Sequence, residues 1–343
     1  MTEVWPAELF EMADLVTPMA IRVAATLRLA DHIEEGATTV TALAERTGTD
    51  ADALGRTIDH LVSVGVFESD EADRYGLGPL GRRLRSADPA HGRGWLDISG
   101  PVGRADLALL RLLDTVRTGE AGYPMVFGST YWDDLAADPA LSASFDALMA
   151  SQRQRDALTL IEAYDWSGVR RVVDVGGGNA TLLAAILRAN PHLHGTVVDL
   201  AGPAAAAEAN LAAQGLHERG TVVTGSFFEP LPGGADVYIL SVVLHDWTDH
   251  DAIAILRRCA AAAGPDGTVL VLERLMDQHN ARSETTTMDL RMLAYFAGRE
   301  RTLSDFDRLA AAVGLTRGQL HHGEHRSLIA LNAAAPAADQ PPA

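Results

Sequence analysis

The stretch Val172-Val173-Asp174-Val175-Gly176-Gly177-Gly178-Asn179-Ala180-Thr181 runs from β-branched residues into three glycines and then into a helical pattern. A strand that ends in glycines at a helix N-terminus is where open α/β sheets hold ligands. Glycine permits positive φ and close backbone approach, and the free helix amides attract an anion. A dinucleotide fingerprint would need a third glycine at position 181, which is Thr. Asp174, two residues before the first glycine, suits a cofactor bearing an amino group and a positive sulfur better than a pyrophosphate. Asp199 ends the next strand, 25 residues on, where a carboxylate can accept both hydroxyls of a ribose. Either Asp alone would also fit a strand-end cap. His245 follows the fourth strand, Glu273 ends the fifth and Glu300 sits in GRERT. A histidine so placed is a base by type, and a buried, hydrogen-bonded histidine is its ordinary alternative.

These side chains need a scaffold that gathers strand ends. From RVVDV onward, short strands alternate with helices: TLLAAILRA, GTVVDL, AAAAEANLAAQ, TVVTG, ADVYILS, DAIAILRRCAAAA, TVLVLE and, near the end, SLIALN. The alternation predicts a doubly wound, Rossmann-like α/β domain over 167–332. Residues 96–166 read as a helical linker and pocket wall, broken at Gly119 to Pro124 and at Asp138-Pro139. The tail 333–343, AAAPAADQPPA, has nothing to pack and is expected to be disordered. Residues 1–95 contain LAERTGTDADALGRTIDHLVSVGVFES and then EADRYGLGPL, which read as helix, turn, helix and β-hairpin, with Asp50 capping the second helix. That is a winged-helix arrangement.

Composition removes several chemistries. All 28 basic residues are Arg, so Schiff-base, pyridoxal-lysine, phosphate-loop-lysine and lysine-base mechanisms are excluded. Cys259 is the one thiol, which excludes intrachain disulfides and multi-cysteine zinc sites. No stretch approaches about 18 uninterrupted apolar residues and no signal-like leader opens the chain, so a cytoplasmic, non-membrane setting is expected. The net charge is −18, and residues 1–95 carry nine Arg against sixteen acids. Such a domain repels phosphate, so no nucleic-acid partner is expected, and a ligand-sensing DNA-binding regulator is the weaker alternative. The apolar run Leu9, Phe10, Met12, Leu15, Val16, Ile21, Val23 and Leu27 predicts burial against a second subunit.

Nearly the whole chain resembles S-adenosylmethionine-dependent O-methyltransferases of the plant caffeate type and their bacterial relatives acting on aromatic polyketides. The matching stretches are YWDDLAADPALSASFDALM, VVDVGGGNATLL, GSFFEPLP, ADVYILSVVLHDWTDHDA, LVLERL and MDLRMLAYFAGRERT. The resemblance implies a Rossmann-like methyltransferase domain behind an N-terminal, all-helical winged-helix domain through which a homodimer interlocks. It implies that S-adenosylmethionine is the cofactor and S-adenosylhomocysteine the product. Asp174, Gly176 and Gly178 would line its methionine end, Asp199 its ribose, and Phe227 its adenine, with Ser241 nearby through its backbone. Ser226 stands where the family usually has Asp to meet the adenine amine.

By the same resemblance His245 is the base that takes the proton from an acceptor hydroxyl, with Glu273 and Glu300 orienting its imidazole. A phenol near pKa 10 and a histidine near 6.5 differ by about 3.5 units, roughly 5 kcal/mol, which flanking carboxylates reduce. Met288 and Met292 would clamp a flat aromatic acceptor, although with Phe296 they also form an ordinary apolar core stripe. Phe145 and Met149 resemble a helix that walls the same pocket, and Arg153 or Arg155, one turn later, would meet the cofactor carboxylate. Asp246 reads either as a contact to the acceptor's ring substituents or as a cap on the helix from Asp249, and Trp247 as pocket wall. His321, His322 and His325 read as an exposed turn before the last strand, and no metal is expected.

The alternative within the family is a homologue that binds the cofactor without methylating, since bacterial relatives also promote polyketide decarboxylation or hydroxylation. The intact set of His245, Glu273 and Glu300 favours methylation. Phe127-Gly128 stands where relatives lacking the histidine tend to carry a tyrosine.

Overall fold

The computed structural model describes residues 7–276 and 283–334. It divides into two compact units, the first ending at Leu107 and the second starting at Ala108. In the first, the helices Val40–Thr47 and Ala51–Ser63 are joined through Gly48, whose φ of 66° closes the earlier helix. Asp50 Oδ1 accepts the Ala53 N–H at 2.9 Å, as its position before an apolar helical run requires. The antiparallel hairpin of β1 (Phe67–Ser69) and β2 (Tyr75–Leu77) follows. Leu29, Leu43, Ile58, Leu61 and Phe67 form the core of this unit. Leu9, Met12, Leu15 and Val16 are 58 to 86% exposed.

The second unit is built on seven strands: β3 (Arg171–Val175), β4 (His194–Asp199), β5 (Gly220–Thr224), β6 (Val237–Ser241), β7 (Thr268–Glu273), β8 (Leu315–His322) and β9 (Ser327–Ala333). Their order is β5-β4-β3-β6-β7-β9-β8, parallel through β7, with β9 antiparallel to both its neighbours. The chain winds outward from β3 in one direction and from β6 in the other, so the switch point lies between these two strands. Ile239, Leu240, Val269, Leu270, Val271 and Leu272 are fully buried because helices cover both faces of the sheet. Thr181–Ala189 and Ala201–Ala213 pack on one face, and Asp249–Ala263 and Leu303–Ala311 on the other.

One strand escapes the sequence reading. His321 and His322, expected in a turn, end β8 opposite Leu328 and Ser327, and the turn is Gly323 to Arg326. Most of β8 is exposed at the sheet edge, so it lacks the apolar run that marks the other strands. β9 extends through Ala333, and the expected disorder of the tail concerns residues that, from 335, lie outside the described ones. Among the described residues no helix is long and apolar enough to cross a membrane.

The helix Leu303–Ala311 opens on a capping box, with Thr302 Oγ1 accepting the Asp305 N–H at 3.2 Å and Asp305 Oδ2 accepting the Thr302 N–H at 2.8 Å. Thr302→Ala should lower stability by about 1 kcal/mol, read as a lower denaturant midpoint at unchanged slope; an unmoved midpoint contradicts it.

Candidate active site

At the end of β3 the chain turns through Gly176 and Gly178, with φ of 72° and 57°, into the helix Thr181–Ala189. The Gly176 N–H donates to Val198 O at 2.9 Å, which ties the turn to β4. The Gly178 N–H donates to Asp199 Oδ2 and the Leu200 N–H to Asp199 Oδ1, both at 2.7 Å. A Cβ on Gly177 would lie 2.6 Å from the Asp174 carboxylate, and one on Gly178 would lie 3.0 Å from the Arg153 guanidinium. Glycine is therefore what lets an acid and an arginine approach the turn. Arg153 is half-buried on the helix Pro139–Ala163, whereas Arg155 is exposed, so Arg153 is the arginine at this turn.

Asp146, two turns before Arg153 on the same helix face, interacts electrostatically with both Arg153 and Asp199. Burial pushes Asp174 up to about 7, against the pull of Arg153 and reinforced by the charge of Asp199. Burial likewise raises Asp199 and Asp146. Three carboxylates thus share one guanidinium, and Asp174 Oδ2 and Arg153 Nε are buried without partners. This donor set fits the methionine end of S-adenosylmethionine, which presents a positive amine and sulfonium together with a carboxylate.

Nearby, the Phe227 ring comes within 3.5 Å of where a Cβ on Gly176 would stand, and it packs against Phe228 and edge-on against Trp247 at centroid distances of 5.2 and 5.7 Å. The Ser226 hydroxyl accepts the Phe228 N–H at 3.2 Å, so it serves its own turn. Ser241 is buried at the end of β6, opposite Leu272. The next residue, Val242, has φ of 57°, a left-handed conformation that a β-branched side chain resists.

That turn delivers His245. Its Nδ1 lies 3.1 Å from Glu300 Oε1, and its Nε2 lies 3.3 Å from Asp246 Oδ1. Because a carboxylate only accepts, Nδ1 carries a proton toward Glu300, and in the protonated ring Nε2 turns its own proton toward Asp246. Glu273 acts on the backbone: its Oε1 accepts the N–H groups of Val243, Leu244 and His245 at 3.1, 2.9 and 3.4 Å. Burial alone would push the imidazole down, but the charges of Asp246, Glu273 and Glu300, with the Glu300 hydrogen bond, raise it to about 10. Burial brings Asp246 up to about 7 despite the imidazole beside it. The helix Asp249–Ala263 is capped by Thr248, which accepts the Asp251 N–H at 3.3 Å, so Asp246 faces the imidazole and is not that cap.

An aromatic wall stands close by. Trp132 stacks on Phe296 at 5.4 Å and meets Phe145 edge-on at 5.8 Å, while Tyr131 meets Phe296 edge-on at 5.2 Å. Burial and then the charge of Asp246 hold the Tyr131 hydroxyl well above its usual pKa, which places this wall within electrostatic reach of the histidine turn. Met149 and Met288 are half-buried and Met292 is buried; the Met292 carbonyl accepts the Gly298 N–H at 3.1 Å. Among the described residues no group of three or more His, Cys, Asp or Glu is gathered to hold a metal.

Sequence reasoning passed over Tyr131, Trp132, Asp146 and Arg301. Asp146 had a usable signal, since it falls on the helix face of Arg153. Arg301 had none: Arg299, two residues earlier, looks equally suitable, yet Arg301 is the one fully buried.

Fold and site together define a methyltransferase that uses S-adenosylmethionine. Residues 110–316 match the O-methyltransferase domain family and residues 10–86 the O-methyltransferase dimerisation domain, so the chain belongs to the O-methyltransferase family. It is 49% identical over 322 residues to 2,7-dihydroxy-5-methyl-1-naphthoate 7-O-methyltransferase of Streptomyces carzinostaticus, covering 94% of this chain and 96% of that one. It is also 49% identical over 308 residues to aclacinomycin 10-hydroxylase of Streptomyces purpurascens, covering 89% and 82%. The solved structure of an O-methyltransferase from neocarzinostatin biosynthesis, in complex with S-adenosylmethionine and 2-hydroxy-5-methyl naphthoic acid, superposes with a TM-score of 0.91 at 47% identity, covering 97% of this chain and 100% of that one.

The surroundings of His245 predict that its ring resonances titrate near pH 10 in the folded protein. A folded pKa raised above the usual 6.5 adds stability that is complete below about pH 6.5 and fades as pH rises through about 10. Ring titration at or below 6.5, followed by NMR, contradicts the placement of those carboxylates.

Proposed function

We propose that the protein methylates a phenolic hydroxyl of a fused-ring aromatic natural product of the polyketide type, with His245 as general base. The observation that carries this reading is the imidazole itself, held at Nδ1 by Glu300 at 3.1 Å on the loop that leaves β6. On this reading Nε2 takes the phenolic proton and leaves a nucleophilic oxygen. The pKa of a phenol is about 10, and the carboxylates that raise the ring narrow a gap that for an ordinary histidine is roughly 5 kcal/mol. Glu300 keeps the ring oriented, and Asp246 at 3.3 Å is the group the acceptor displaces from Nε2. Asp174, Asp199, Gly176, Gly178 and Arg153 hold the cofactor, with Phe227 and Ser241 beside it and Ser226 contributing little to the adenine. Bound there, S-adenosylmethionine supplies an electrophilic methyl group. Phe145, Met149, Met288, Met292 and Phe296, joined by Trp132, wall the aromatic acceptor.

A homodimer accompanies this reading. Leu9, Met12, Leu15 and Val16 are too exposed for a lone chain, and they fall within or beside the dimerisation-domain match.

The likeness to aclacinomycin 10-hydroxylase supports a second reading, in which the cofactor is bound but the acceptor is hydroxylated. Incubation with S-adenosylmethionine and phenolic naphthoates separates the two by mass spectrometry. The first reading expects a product heavier by one methyl group with matching S-adenosylhomocysteine, and an oxygenated product with no methyl gain contradicts it.

Three outcomes follow from the proposed roles. His245→Ala should lower kcat by about 10² to 10⁴ with cofactor affinity retained, and undiminished turnover would remove the base. Asp199→Ala should weaken cofactor binding first; calorimetry showing wild-type affinity would remove the ribose assignment. The reactive complex has lost one proton from the phenol–imidazolium pair, so kcat/KM should climb with pH toward about 10, and a profile level above neutrality speaks against the matched pair.

A further inference from the structure

Five consecutive residues, Gly298 to Thr302, meet or anchor the turn that carries His245. A Cβ on Gly298 would stand 2.2 Å from the His245 carbonyl oxygen, so this backbone lies flat against the turn. The Arg299 N–H donates to that same carbonyl at 2.9 Å, and Glu300 meets the ring. Arg301, 1% exposed, donates from Nη1 to Leu244 O at 2.6 Å and from Nη2 to Trp247 O at 2.8 Å. Its Nε reaches Asp249 Oδ1 at 3.0 Å. Thr302 then fixes the segment through its capping box, and the Met276 N–H donates to Arg301 O at 2.9 Å.

The turn is thus gripped from both ends. Glu273 accepts the N–H groups of residues 243 to 245, and Arg301 donates to the carbonyls of residues 244 and 247. Between β6 and this turn stands Val242 in its left-handed conformation. Such strain persists only where surrounding contacts over-determine it.

We propose that Arg301 is a positioning residue: with Glu273 it clamps the strained turn after β6 and so sets where the His245 ring sits between Glu300 and the acceptor. Every nitrogen of this guanidinium is engaged by backbone or by Asp249, so it acts through the turn it holds. The inference rests on the reading of His245 as the base.

Two variants test it. Arg301→Lys keeps the charge and loses the fork that spans two carbonyls and Asp249. Asp249→Asn, at a side chain 43% exposed, loosens the same arginine from outside and covers the case in which the buried variant does not fold. For Arg301→Lys, kcat should drop by about 10²-fold. The acceptor KM and the calorimetric Kd for S-adenosylmethionine should stay at wild-type values, and the His245 ring titration should move down from its wild-type position as the ring leaves Glu300. Asp249→Asn should show the same pattern at smaller amplitude. A folded variant with wild-type kcat and an unmoved ring titration overturns the clamp, as does a loss of cofactor affinity in proportion to kcat. If His245→Ala remains active while Arg301→Lys still moves the ring titration, the base assignment falls and the clamp stands.

Discussion

An imidazole held among three carboxylates is only as useful as the distances that separate them. Moved apart, the charges stop raising the ring; moved together, the carboxylates repel and take up protons themselves, a tendency already present at Asp246, which burial first and then the charges of Glu273 and Glu300 bring up to about 7. Everything that matters to the proposed chemistry therefore depends on a short turn whose own backbone is unfavourable at Val242. The sheet supplies its base, because β6 and β7 run parallel and bring Ser241 and Glu273 to the same edge. A carboxylate at the end of β7 can then reach across to N–H groups that no strand partner satisfies.

The cofactor side follows a different logic. There the sheet edge collects more negative charge than Arg153 offsets, and burial keeps those groups reluctant to ionise. A ligand bringing its own cations relieves that cost, whereas an anionic dinucleotide would add to it. The glycines make room for this exchange: a methyl group at Gly177 or Gly178 would press on the acid or on the arginine.

Much of this is legible in the sequence. The glycine turn, Asp174, Asp199 and His245 announce themselves because each is tied to a strand end, and strand ends are marked by local pattern, whereas Glu300, between two helices, is legible only through the resemblance carried by GRERT. Glu273 was legible as a site residue while its partner was not, since nothing in a sequence distinguishes a carboxylate that touches a ring from one that holds the ring's backbone. β8 was illegible because an exposed edge strand has no apolar run to display. Arg301 and Trp132 were illegible because their roles arise from long-range packing, in one case of residues 244 and 301, in the other of residues 132 and 296.

The proposed chemistry depends on the acceptor's oxygen meeting the imidazole of His245. A crystal grown with S-adenosylhomocysteine and a phenolic naphthoate measures it directly. Proton transfer to His245 requires the phenolic oxygen to lie about 2.6 to 3.2 Å from its Nε2, in the place that Asp246 has given up. An acceptor bound with that oxygen turned away from the ring, and with Asp246 still on Nε2, would contradict it.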